Sequence, residues 1–301
     1  MNRRLVLIHG RSQEHKSAEK LKRSWVAALK RGLAKSNLEL PIPEREVRFP
    51  YYGDALHDLA SGKEDGVAKV ITKGATRDHE FSGFAKEILL EVCAKAGITD
   101  ADIEAAMTGE KVIEMGILNW KWVRAILRTI DRLVPLASAA SIALFTNDVY
   151  KYLRNPGILN QIEMRVRAAF EPGIPTIVVA HSLGSVVAYN LLRTEGTSLA
   201  WRIPVFVTVG APLAVSRIKA LLAPNHHPEC IDKWFNALDA QDVVALHPLT
   251  KRHFPIDPEI ENKTDVQNPS PNHHGIEGYL ADRDVAKKIH DALIASAVPR
   301  E

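Results

Sequence analysis

Residues 176–185 have the sequence Thr-Ile-Val-Val-Ala-His-Ser-Leu-Gly-Ser, an apolar strand pattern that leads into a serine and then a helical pattern. This arrangement is typical of a nucleophile elbow, in which the serine sits on a sharp, strained turn between a strand and a helix. The residues two before and two after the serine must be small, because strand and helix approach closely there. Ala180 and Gly184 meet that requirement around Ser182, although glycine is usual at the first position. The alternative is that Ser182 merely caps a crossover helix.

Other short apolar runs, bounded by turn residues and separated by helical patterns, recur along the chain. Buried parallel strands with crossover helices have this pattern. We therefore expect an α/β fold with a mostly parallel central sheet and helices on both faces. The strands are predicted at 5–9, 47–51, 176–180, 204–209 and 233–238, and flanking helices at 21–33, 158–170 and 282–295.

The composition is typical of a soluble globular protein: 46% of the 301 residues are hydrophobic and 25% are charged. This balance argues against a disordered or collagen-like chain and against a disulfide-stapled mini-protein. The net charge of +3 is too small to indicate a nucleic-acid partner. Cys93 and Cys230 are too few for a disulfide framework or a four-ligand zinc site, which favours a reducing compartment.

The apolar segments indicate neither a leader nor a membrane span. The run at 5–8 is too short for a signal-peptide core, and no small-residue cleavage site follows it. The most apolar stretch, 133–145, is interrupted by polar residues and proline and is shorter than the roughly 18 to 20 residues that span a bilayer. These observations predict a cytoplasmic protein without a transmembrane segment, with peripheral membrane contact left open.

The segment from 53 to 160 departs from the alternation of strands and helices. A Gly-, Lys- and Asp-rich loop is predicted at 54–78, followed by helices at 84–96, 103–115, 123–133 and 136–153. We therefore predict a single domain, residues 1–301, with a helical insertion at 54–155. Because the insertion follows an early strand, it could fold over the carboxyl edge of the sheet as a lid.

The chain resembles the α/β-hydrolase superfamily, and within it the lipase- and esterase-type members. Besides the elbow, the resemblance rests on Ile-His-Gly-Arg at 8–11, Phe-Pro-Tyr-Tyr-Gly-Asp at 49–54 and Gly-Ala-Pro-Leu at 210–213. The first is similar to the His-Gly turn that such enzymes place beside the nucleophile, and the last to a Gly-Ser-Pro-Leu turn common in lipases. The resemblance implies a serine hydrolase that cleaves a carboxylic ester, with Ser182 as nucleophile.

The resemblance also implies where the acid lies, because in this superfamily the chain order is serine, acid, histidine. Asp239 and Asp242 both follow the strand predicted at 233–238. Related lipases often carry Asp-Pro-Val here, and Asp242 followed by two valines is the closer match, so Asp242 is favoured. Asp239 stays open as the acid; its other interpretation is a turn residue that bonds nearby backbone amides.

The resemblance also implies the place of the base, because this superfamily puts it on the loop between the last strand and the last helix. In this chain the residues Asn-His-His-Gly occupy that loop at 272–275. His274, which precedes glycine, is favoured as the base, and His273 is the alternative. His9 and His181 precede Ser182 and are excluded by the chain order. We also expect the His181 ring to point away from the position of the base.

The oxyanion donors implied by the resemblance are the backbone amides of Arg11 and Leu183. The expected mechanism has two steps, attack by Ser182 and hydrolysis of the acyl-enzyme. It requires no metal ion and no organic cofactor.

Two other function classes remain as hypotheses. A metal hydrolase is suggested by two His-His pairs and by Glu277 shortly after His274, but no His-Glu-x-x-His motif is present. A non-catalytic module could keep the hydrolase scaffold and bind a partner through its insertion. The three triad residue types occur in the expected order, which favours the enzyme.

The substrate is expected to be a small-molecule ester or a lipid. The apolar stretch 133–145 would favour an acyl chain if it lined a lid, although core packing is its more usual role. Arg11, Tyr51 and Tyr52 could line the pocket and favour an anionic group. Thioesters and amides remain alternatives, since the same triad cleaves them.

Overall fold

A computed structural model describes residues 3–11, 13, 15–55, 79–106, 120–133 and 139–295. Six strands of this part of the chain form one sheet in the order β2-β1-β3-β4-β5-β6, and every adjacent pair is parallel. The strands are β1 (Arg4–Ile8), β2 (Val47–Arg48), β3 (Thr176–His181), β4 (Ile203–Val209), β5 (Ile231–Ala237) and β6 (Glu261–Lys263).

Helices connect and cover the strands, and side-chain caps mark where several of them begin. Ser17, Asn155 and Asp282 each accept a hydrogen bond from a backbone N–H of the first turn that follows, which satisfies a donor the helix cannot pair itself. The helices are α1 (Ala18–Ala34), α2 (His79–Ala96), α3 (Asp100–Ala105), α4 (Trp120–Leu133), α5 (Ala139–Arg154), α6 (Pro156–Arg167), α7 (Leu183–Glu195), α8 (Ser216–Leu221), α9 (Ile276–Leu280) and α10 (Arg283–Ile294).

The two faces of the sheet carry separate cores, because side chains of a strand alternate between faces. Leu5 and Leu7 of β1 pack in a core that includes buried residues of α1, α9 and α10. Val6 and Ile8 pack in the other core, with buried residues of α6 and α7. The predicted α/β fold with a parallel central sheet and helices on both faces is therefore confirmed, and all the described strands are parallel.

The helices between β2 and β3 contribute to the second of these cores. Phe84 of α2, Ile126 of α4 and Val149 of α5 are buried in the same cluster as Val6 and Ile8. These helices lie where the sequence predicted helices at 84–96, 123–133 and 136–153. Of the predicted helix at 103–115, the structure describes residues 103–106, and α3 covers them as far as residue 105. Of the predicted loop at 54–78, it describes only residues 54 and 55.

Two strands differ from the sequence prediction. β2 has two residues instead of five, since the chain leaves the sheet before Pro50, which has no N–H to pair. β6 was not predicted, because its three residues, Glu-Asn-Lys, form a polar edge strand without an apolar run. Among the described residues, no helix combines the length and apolar character needed to cross a bilayer.

Candidate active site

Ser182 lies on the turn between β3 and α7 in a strained backbone conformation. Its φ of 54° and ψ of −130° fall outside the usual regions for an L-residue, at a cost of about 1–3 kcal/mol. Gly184 permits this turn, because a Cβ there would collide with the carbonyl oxygens of Ile8 and His9 at the end of β1. The sharp turn and the close approach that the sequence predicted around Ser182 are therefore both present.

Three of the predicted site residues form a continuous hydrogen-bonded chain. The Nε2 of His274 lies 2.8 Å from the Oγ of Ser182, and its Nδ1 lies 2.7 Å from the Oδ2 of Asp242. Because an ionised carboxylate only accepts hydrogen bonds, Nδ1 carries the hydrogen and Nε2 is free to accept the serine proton. Ser182 and Asp242 are each only 1% exposed.

The Asp242 carboxylate has donors on both oxygens. Oδ1 accepts the backbone N–H groups of Val244 and Ala245 at 2.8 and 3.1 Å, and Oδ2 accepts the Tyr279 hydroxyl at 2.6 Å. Burial alone would raise the pKa of Asp242. The charge and hydrogen bond of His274, with the hydrogen bonds from Tyr279 and Val244, outweigh burial and hold that pKa below its usual value. The carboxylate is therefore ionised at neutral pH.

The alternative acid and base have different contacts. The Oδ1 of Asp239 accepts the backbone N–H of Gln241 at 2.8 Å, and its Oδ2 accepts that of Asn268 at 2.7 Å. The Nδ1 of His273 lies 3.4 Å from the same Oδ2. Asp239 thus bonds backbone amides, as its alternative interpretation as a turn residue predicts, while His274 is the histidine hydrogen-bonded to Ser182.

His181 lies against the loop that carries His274. Its Nε2–H donates to the carbonyl oxygen of His274 at 2.8 Å, and the two ring centroids are 4.7 Å apart. Burial, together with the positive charge that His274 can carry, lowers the pKa of His181 to about 3, so its ring is neutral. The expectation that the His181 ring points away from the base is wrong. The loop that carries His274 leads into α9, and α9 packs on the face of the sheet on which His181 lies.

The segment after β1 runs beside the elbow. The His9 ring is buried and neutral, since burial lowers its pKa to about 4; its Nδ1–H donates to the Gly10 carbonyl, and its Nε2 accepts the Tyr52 N–H at 3.0 Å. A Cβ on Gly10 would lie 2.8 Å from the Cβ of Ser182. Arg11, one of the two predicted oxyanion donors, therefore follows a residue in close contact with Ser182.

The other predicted donor, Leu183, is the first residue of α7. The first N–H groups of a helix, of which that of Leu183 is one, have no carbonyl four residues earlier within the helix to bond. They carry the positive end of the helix dipole, which favours a developing negative charge beside Ser182.

The polar side chains expected to meet an anionic substrate have partners within the protein. The Nε of Arg11 donates to Oδ2 of Asp148 on α5 at 2.8 Å, so a carboxylate balances its charge. The Tyr51 hydroxyl lies 2.7 Å from the Gln13 carbonyl oxygen, and the Tyr52 hydroxyl bonds the His9 carbonyl. These groups therefore have partners within the protein, and an anionic substrate stays a prediction.

Comparison with protein-family models, with curated proteins and with solved structures finds no match for this chain. Within the described ranges, no three His, Cys, Asp or Glu side chains are grouped so that they could hold a metal ion. What the fold establishes is an α/β protein whose central sheet is parallel. Its function is argued below from the geometry around Ser182.

Proposed function

We propose that this protein is a serine hydrolase of the α/β-hydrolase type that cleaves a carboxylic ester through an acyl-enzyme intermediate. The observation that carries the proposal is the hydrogen-bonded chain from Ser182 through His274 to Asp242, with distances of 2.8 and 2.7 Å. Nucleophile and base are within hydrogen-bond reach, and a third group orients the base.

In the first step, the Oγ of Ser182 attacks the ester carbonyl carbon while its proton passes to Nε2 of His274. Asp242 stabilises the imidazolium, and the amides of Arg11 and Leu183 bind the oxyanion. The imidazolium then protonates the leaving alcohol as the carbon–oxygen bond of the ester breaks. In the second step, water attacks the acyl-enzyme with His274 again acting as base, which releases the acid and restores Ser182.

Two features favour an enzyme over a non-catalytic module. The strained conformation of Ser182 costs free energy, and such strain persists mainly at functional sites. The Asp242 carboxylate is buried, an arrangement that costs free energy unless its partners are in place. A module that only binds a partner through its insertion has no use for either feature.

The helices between β2 and β3 are proposed to border the substrate entrance, as part of the lid-like insertion at 54–155. Support comes from the ion pair between Arg11, beside the elbow, and Asp148 on α5. The substrate is proposed to be a small-molecule ester or a lipid, as the resemblance to lipases and esterases implies.

Labelling with a fluorophosphonate probe tests the proposal, because the probe reacts with an activated serine. We expect the wild-type protein to be labelled, the Ser182→Ala variant to remain unlabelled, and a Ser82→Ala control, which removes another buried serine, to be labelled like wild type. Hydrolysis of p-nitrophenyl esters of increasing chain length then separates esterase from lipase preference. A wild-type protein that stays unlabelled in excess probe would contradict the proposal and favour the interaction module.

A further inference from the structure

The hydroxyl of Tyr279 lies between the two aspartates that follow β5. It is 2.6 Å from Oδ2 of Asp242 and 3.1 Å from the backbone nitrogen of Asp239. The N–H of Asp239 can only donate, and the carboxylate of Asp242 can only accept, so the phenol oxygen accepts from Asp239 and donates its hydrogen to Asp242. Tyr279 is 0% exposed, which keeps water away from both bonds.

The carboxylate oxygen that faces His274 is therefore shared by two side-chain donors. The Nδ1–H of His274 and the hydroxyl of Tyr279 both reach Oδ2, while Oδ1 is held by backbone amides. We propose that Tyr279 is a positioning residue of the candidate triad, which fixes the orientation of the Asp242 carboxylate and limits how strongly Oδ2 binds the His274 ring. This inference rests on the function proposed above.

The physical reason lies in how the carboxylate charge is distributed. An oxygen that accepts two hydrogen bonds offers less negative charge to each donor than an oxygen with one. Without the phenol hydroxyl, Oδ2 would interact with the His274 ring alone and stabilise its protonated form more strongly. The protonated ring is not a base, so this change would slow attack by Ser182 at acidic pH, where a larger share of the rings would carry a proton before the attack.

Other titratable groups also face this pair. His181 approaches from β3, His273 from the loop before α9, and Asp239 from the loop after β5. His181 is neutral, since burial lowers its pKa to about 3, and Asp239 already accepts two backbone amides. Burial and the charge of Asp242 raise the pKa of Tyr279, so its hydroxyl stays a donor across the working pH range.

The chain offers a matched control for the loss of a buried phenol hydroxyl. Tyr152 is also 0% exposed, and its hydroxyl donates to the carboxylate of Glu163 at 2.7 Å, at the packing of α5 against α6. Tyr152→Phe and Tyr279→Phe therefore remove the same group from a similar bond. A merely structural role for Tyr279 predicts similar behaviour of the two variants in every assay.

The first experiment measures the second-order rate of fluorophosphonate labelling against pH for the wild type and both variants. We expect Tyr279→Phe to be labelled about tenfold more slowly on the acidic side of the profile, a change of the size that one hydrogen bond to a charged group contributes. Its half-maximal labelling on the acidic side should move to higher pH, while Tyr152→Phe keeps the wild-type profile. A wild-type rate and pH profile in Tyr279→Phe would overturn the proposal.

The second experiment needs no activity, so it separates this inference from the proposed function. The hydrogen on Nδ1 of His274 should give a far-downfield proton NMR signal, identified by its loss in His274→Gln. We expect Tyr279→Phe to move this signal further downfield and Tyr152→Phe to leave it in place. If the signal moves but no serine is labelled, Tyr279 affects the hydrogen bond between His274 and Asp242, and the hydrolase proposal fails. An unmoved signal contradicts the role of Tyr279 even if labelling succeeds.

Discussion

Two His–Asp pairs stand next to each other on the same two loops. In the first pair, the Nδ1 of His274 lies 2.7 Å from Asp242, and the opposite nitrogen reaches Ser182. In the second, the Nδ1 of His273 lies 3.4 Å from Asp239. Each pair consists of one histidine and one aspartate. The two histidines are neighbours in sequence and the two aspartates are three residues apart, yet only the first pair is hydrogen-bonded to Ser182.

The difference arises from the backbone and not from the side chains. Asp239 accepts backbone N–H groups on both oxygens, whereas Asp242 accepts them on Oδ1 alone and leaves Oδ2 to side-chain donors. His273 has a left-handed backbone with a φ of 53°, which directs its side chain differently from that of His274. Loop geometry therefore decides which of the two sequence candidates is hydrogen-bonded to Ser182.

The strongest test of this comparison replaces each histidine in turn. We expect His274→Ala to lower the rate of ester hydrolysis by about 10⁵–10⁶-fold, as loss of a triad base does in serine hydrolases. His273→Ala should stay within a few-fold of wild type, because its ring bonds neither Ser182 nor Asp242. The rates of p-nitrophenyl ester hydrolysis check both values. Equal losses in the two variants would show that the pairs are not functionally distinct.

The aspartates provide the next largest contrast. Asp242→Asn should lower the hydrolysis rate by about 10⁴-fold, because an amide at this position favours the wrong tautomer of His274. Asp239→Asn should retain most activity but lower the free energy of unfolding by about 1–3 kcal/mol, since one backbone amide loses its acceptor. Urea denaturation, paired with the activity assay, separates the two effects. Loss of activity without loss of stability in Asp239→Asn would reverse the assignment.

Acidification tests the part played by His181, which bonds the loop at His274. The folded pKa of His181 is about 3 and that of an unfolded histidine is about 6.5, so below pH 6.5 the unfolded chain takes up a proton that the folded chain does not. The free energy of unfolding should therefore fall as pH decreases from 6.5, by up to about 1.4 kcal/mol per pH unit from this group.

His181→Asn keeps a donor for the carbonyl oxygen of His274 but does not titrate. Between pH 6.5 and 4 it should lose about 2–3 kcal/mol less unfolding free energy than wild type. Measurement of both proteins at pH 8 gives the effect of the substitution without titration. Parallel stability curves for the two proteins would mean that His181 is not held neutral.

The smallest expected effect comes from Gly210, whose φ is 57°. A Cβ there would lie 3.0 Å from Cε2 of Tyr279 and 3.2 Å from both Oδ2 of Asp242 and Cε1 of His274, so Gly210→Ala should perturb the first pair and the tyrosine ring that bonds it. Gly173→Ala is the matched control, because Gly173 has a φ of 72° with nothing within 4 Å of its added Cβ. Both variants should lose about 1 kcal/mol of stability, but only Gly210→Ala should be labelled more slowly, by about tenfold. Equal labelling rates would show that the first pair tolerates the added methyl group.

A feature could be predicted from the sequence when the residues that determine it are close together in the chain. Strands β1, β3, β4 and β5 were predictable because they are largely buried and therefore apolar, whereas the polar edge strand β6 has no such pattern. Ser182 was predictable because the small residues that its turn needs are its neighbours in sequence.

The remaining features of the site depend on partners far along the chain. Resemblance favoured Asp242 and His274, but the residue patterns left Asp239 and His273 open, since each pair of candidates shares one loop. Tyr279 bonds a carboxylate 37 residues earlier, and nothing in its local sequence indicates that contact.

The position of β1 between β2 and β3 has a consequence for biosynthesis. β1 pairs with β3 through Arg4 and Thr176, which are about 170 residues apart. At about 5–20 residues per second on a ribosome, roughly 10–35 s pass between synthesis of the two strands. During this interval an apolar strand has one edge without its native neighbour, a surface prone to wrong pairing. The nascent chain is therefore expected to depend on chaperones until Thr176–His181 has emerged, and a chain truncated before residue 176 should aggregate.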